Sequence, residues 1–157
     1  MVTFTEVLQA IVDLARQGTG ARVSYLGTPS QPPEHPFAAW VSLVSLSSTG
    51  RAHSFRNDDG YLELRGVEHD LSATLTIFVG EVGLGADEET ALAQVTQDVM
   101  LAFEADSTLR LTGDHDRVSS CKLGAVTVIR EAWDESKSYA GIRIPVTVRI
   151  LGSENDG

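Results

Sequence analysis

Four histidines, one cysteine and a surplus of carboxylates are the residues of this chain with chemistry to offer. His35, His53, His69 and His115 fall in segments that read as loops or strand edges, and no two stand at the spacing that puts metal ligands on one helix face. In "GDHD" (Gly113–Asp116) two carboxylates flank an imidazole. Sequence neighbours rarely converge on one ion, so the string predicts a solvated acidic turn. "RNDDG" (Arg56–Gly60) starts like a calcium loop but lacks the later bidentate Glu, and reads as a hairpin turn. "GEVGLGA" follows a strand without dinucleotide spacing, and Glu81 would repel a phosphate. There is no G-x-S-x-G, H-E-x-x-H or P-loop. Carboxylate pairs are too common in this chain for one to stand out as an acid–base couple. Cys121, the single cysteine, excludes an intramolecular disulfide and any multi-cysteine zinc site, and its place at a strand edge predicts a partly buried, inert thiol. Trp40 and Trp133 suit a ligand wall, a core or a subunit interface. The expectation is no catalytic, metal-binding or cofactor-binding residue.

Stepping from residues to charge, 12 basic against 22 acidic side chains give a net −10 in 157 residues. Free DNA is repelled by such a chain unless its basic residues cluster. Arg51, Arg56 and Arg65 are instead interleaved with Asp58, Asp59 and Glu63. A 42% hydrophobic content is enough for a core. No apolar run reaches the roughly 20 residues of a membrane span, and "MVTFTEVLQAIVDLARQ" lacks the pattern of a signal peptide, so a cytoplasmic site of synthesis is expected. The length predicts a single domain over residues 1–151, followed by a disordered acidic tail over 152–157.

The elements that position these residues follow from periodicity. Thr3 and Glu6 stand at capping-box spacing, and Val7, Leu8, Ile11, Leu14 and Ala15 make one helical stripe that Gly18 and Gly20 stop. "ARVSYLG" (Ala21–Gly27) predicts a short strand. Four of the five prolines then crowd into Pro29–Pro36, which excludes helix and central strand and predicts an extended surface connector. Phe37–Leu46 is apolar on both alternating sets and predicts a strand covered at least partly on both faces. Ser47–His69 is polar and centred on "NDDG", a hairpin arm with little core of its own. Asp70–Gly80 alternates as a half-buried strand. Asp87 is placed to cap a second helix reaching about Ala105, with Leu92, Val95, Val99, Ala102 and Phe103 as its buried stripe. Lys122–Trp133 and Tyr139–Leu151 read as an antiparallel pair, with Pro145 at an edge or a bulge. The fold class is α+β: an antiparallel sheet of about four to five strands, packed on one face by two helices, with a long polar hairpin arm.

This order resembles the tail terminator, or tail-completion, proteins of long-tailed bacteriophages. The resemblance spans Phe4 to Leu151 and is carried by "FTEVLQAIVDLA", "ARVSYLG", "PFAAWVSLVSL", "LSATLTIFV", "ETALAQVTQDVMLAF", "GAVTVIREAW" and "AGIRIPVTVRI". It implies a structural virion protein and not an enzyme. The chain would form a homo-hexameric ring at the head-proximal end of the tail, assembled in the cytoplasm of a bacterial host. The ring would cap the tail-tube protein, stop tube polymerisation and present a surface to the head connector or completion protein. DNA would pass through the lumen without specific binding; no membrane and no cofactor are implied. Within this reading Arg51, His53, Phe55, Arg56 and Tyr61 on the arm are the candidate subunit or partner contacts. Two other readings stay open: another head–tail joining or tail-tube protein, and a small-ligand binding domain or enzyme using the open sheet face.

Overall fold

A computed structural model describes residues 3–31, 33, 35–56, 62–82, 86–111, 117–132 and 138–152, with the backbone alone at 49–56, 62–67, 81, 86, 117 and 152. Helix α1 (Phe4–Thr19) opens on the capping box: Thr3 Oγ1 accepts from the Glu6 backbone N–H at 3.1 Å, and the Glu6 carboxylate accepts from the Thr3 N–H at 3.4 Å. Gly20 ends the helix in the left-handed region at φ 79°, which a residue without Cβ adopts freely. Gly18 does not act as a stop. It lies inside α1, where a Cβ would stand 2.6 Å from the Cβ of Ala102, so it lets two helices approach. Helix α2 (Ala86–Ala105) begins one residue earlier than Asp87, which therefore sits in the first turn with Glu88 and Glu89 instead of capping it. Beyond α2, Leu109 and Arg110 turn the chain with φ of 56° and 58°. Leu109 is buried there, and Arg110 pairs with Asp106 at 3.0 Å.

The strands are β1 (Val23–Leu26), β2 (Ala38–Arg56), β3 (Leu62–Glu81), β4 (Arg117–Leu123), β5 (Thr127–Ala132) and β6 (Ser138–Gly152). They form one six-stranded mixed sheet in the order β1-β2-β3-β6-β4, with β5 also on β6. The expected antiparallel sheet of about four to five strands is close: the sheet has five positions across, the last shared by β4 and β5, and the correction is that it is mixed. β1 pairs parallel to β2, with Val23 opposite Ala38 and Leu26 opposite Val41. Parallel neighbours need a return crossing, and the proline-rich segment lies between the two strands that need it. Prolines suit that path because they give up no ladder donor and lose little entropy on ordering. The arm expected at Ser47–His69 is a paired continuation of β2 and β3, from Ser47 opposite Asp70 to Arg56 opposite Leu62.

Pro145 lies in β6, which is central, yet the ladder tolerates it because the strand beside it breaks there. β4 pairs up to Leu123 with Val146, and β5 resumes at Thr127 with Arg143. The Pro145 carbonyl accepts from the Gly124 N–H at 2.7 Å inside that break. β4 and β5 are thus one edge strand with a bulge where the proline has no N–H to give.

The main core lies between one sheet face and the two helices. Val7, Ile11 and Ala15 of α1 and Leu92, Val95, Val99 and Phe103 of α2 close over Val41, Leu71, Leu75, Ile77, Ile142, Ile144 and Val148. The other face carries Ser and Thr along most of its length, as expected, but one end differs. There Ala38, Trp40, Phe78 and Tyr139 form a second buried cluster, with Trp40 and Phe78 rings 4.9 Å apart in edge contact. The Asp70–Gly80 strand is therefore half-buried only up to Thr74; Thr76 and Phe78 are buried on the second face.

Candidate subunit interface

The arm residues Arg51, His53, Phe55 and Arg56 all lie on the outer part of β2, whose backbone pairs Ser54 with Leu64, Phe55 with Glu63 and Arg56 with Leu62. Their side chains, and Tyr61 altogether, lie outside the described residues, as do the "NDDG" turn, "GDHD", Trp133 and the tail from 153. Trp40 is core and not a ligand wall. His69 meets the Phe4 ring edge-on at 6.1 Å, and His35 Nδ1 accepts from the Phe37 N–H at 3.1 Å. Among the described residues no group of three or more His, Cys, Asp or Glu is placed to hold an ion, and no helix is long and apolar enough to cross a membrane. Cys121 is buried on β4, and desolvation raises its thiol from 9.0 to about 12.

The apolar run of β2 reads as a strand covered on both faces, and that holds only for Ala38–Val41. Past Val41 the neighbour strand ends: Leu26 is the last β1 partner, and the Gly27 N–H closes on the Val41 carbonyl at 2.7 Å. From Ser42 outward β2 is a sheet edge among the described residues, with backbone donors and acceptors open on one side. Its side chains are apolar where an edge is normally charged: Leu43 is 46% exposed, Val44 64% and Leu46 41%. A register shift between Leu43 and Ser45 sits there, so Val44 bulges from the ladder.

At the far side of the sheet, β4–β5 is the second open edge among the described residues, and α2 runs along it. The α2 start is tied to β5 by Arg130, whose Nε donates to Glu88 Oε1 at 2.9 Å and whose Nη2 donates to Glu89 Oε1 at 3.1 Å. The α2 end lies over Cys121, Lys122 and Leu123 of β4. Between helix and edge runs a groove. One part, of about 530 Å³, is floored by Leu92, Ala93, Met100, Leu101 and Val128. The next, of about 420 Å³, shares Met100 and continues past Phe103 to Cys121. Met100, Leu101 and Val128 are 44%, 55% and 49% exposed. Sequence reasoning missed this groove. The signal was that Met100 and Leu101 fall off the buried stripe of Leu92, Val95, Val99 and Phe103, which gives α2 a second apolar side.

The open sheet face between these edges is polar. Ser42, Ser45, Ser72, Thr74 and Thr147 cover its middle. Arg149 donates from Nε to Asp70 Oδ1 at 3.1 Å and lies 3.9 Å from Glu68, while Arg143 meets Glu131 at 2.6 Å. The hydrogen bond and charge of Asp70 hold the Arg149 guanidinium above its ordinary value. The face therefore presents neutral hydroxyls and guanidinium groups already answered by carboxylates.

No protein-family model matches the chain, and no curated protein matches it. Among solved structures, a chain of the virion of a native gene transfer agent particle is similar at 13% identity, over 88% of this chain and 84% of that one, with a TM-score of 0.46.

Proposed function

We propose that this chain is a structural virion protein, a ring subunit that caps a phage tail tube, stops its growth and offers a surface to the head connector. The observation that carries the reading is the pair of open edges at opposite sides of one sheet, one exposing Leu43, Val44 and Leu46, the other the groove at Met100, Leu101 and Val128. Two unlike sticky surfaces on one subunit make head-to-tail contacts, and such contacts close into rings when the rotation per subunit permits. A lone soluble domain gains nothing from apolar edge residues and normally blunts them. The polar face, with Arg143 and Arg149 held by carboxylates, suits a wall that DNA passes without sticking. Capping, as opposed to unlimited stacking, comes to the reading from the resemblance of the sequence to tail terminators.

In this reading the arm, with Arg51, His53, Phe55, Arg56 and Tyr61, makes the contact with a neighbouring subunit or the tube. Deleting residues 51–65 leaves every member of the two described core clusters in place. The shortened chain is expected to keep a cooperative thermal unfolding transition and to lose rings in negative-stain micrographs. Rings of normal form from the shortened chain would contradict an assembly role for the arm.

A further inference from the structure

We draw no further inference here: the strongest candidate, the apolar groove between α2 and the β4–β5 edge at Met100, Leu101 and Val128, is already one of the two surfaces of the proposed interface, and with Glu104 and Lys122 both on its rim nothing in the structure shows what covers it.

Discussion

Gly141 is where a single atom decides the second core. A Cβ there would run into the carbonyl oxygen of Ile77 on the paired strand and stand 2.6 Å from Cδ1 and 2.8 Å from Cα of Phe78, the ring that joins Trp40 to Tyr139. Edge-on aromatic contacts of this kind add about 0.5–1.5 kcal/mol beyond burial. Gly141→Ala is expected to destabilise the chain by about 1–3 kcal/mol in urea unfolding, the usual cost of overpacking a filled site. Cys121 gives a residue-scale test of a different kind. Its thiol titrates at 9.0 when free in solution and at about 12 when buried. Below pH 9 it is protonated in both folded and unfolded chains, so its contribution to stability is whole. As pH rises from 9 through 12 only the unfolded chain ionises, and that contribution is lost. The folded protein is therefore expected to resist iodoacetamide at pH 8 and to react at once in denaturant. Rapid alkylation of the folded chain would show that the thiol is not buried as described. The burial of the thiol was legible from the sequence because a lone cysteine beside an apolar strand most often packs as a small hydrophobe. The role of Gly141 was not, because it depends on the backbone and the Phe78 ring of a paired strand that lies far away in sequence.

At the scale of elements, the α1–α2 contact rests on Gly18 against Ala102. Alanine in place of glycine ordinarily strengthens a helix by about 1 kcal/mol. Here the added Cβ meets another at 2.6 Å, so Gly18→Ala is expected to destabilise by about 1 kcal/mol despite its better propensity. The double variant with Ala102→Gly is expected to recover most of that loss, and a double-mutant cycle in urea reads the coupling. Elements whose cause is local were legible in the sequence. The capping box and stripe of α1, the alternation of β3 and β6 and the pairing of the arm were all expected and are all present. What was not legible depends on partners distant in the chain. The direction of β1 cannot be read from four residues, since parallel and antiparallel strands share one pattern. The proline connector was read as extended, but only the fold shows that its path returns the chain for a parallel pair. Pro145 was assigned to an edge or bulge. It stands in a central strand, and the bulge is on its neighbour at Gly124.

For the whole molecule, the informative failure is the apolar run of β2. An interface strand and a core strand look alike in sequence, because both are apolar and only one is covered by its own chain. The strand was expected to be covered at least partly on both faces, and its outer residues Leu43, Val44 and Leu46 are exposed. That mismatch, with the groove on the far edge of the sheet, is what turns a domain without a legible catalytic motif into a candidate building block. The net −10 belongs to the same scale: in the proposed ring it would keep subunits dispersed before assembly and disfavour adhesion of DNA to the assembled surface. The central claim is that unlike edges join copies into a closed ring, and light scattering coupled to size exclusion tests it most directly. The account predicts one discrete oligomer near the mass of a hexamer, unchanged by further increase in concentration. It also predicts a folded monomer when Val44→Lys places a charge on the apolar edge. Open-ended fibres from the wild-type chain would contradict capping, and a discrete oligomer that survives Val44→Lys unchanged would contradict the edge as the joint.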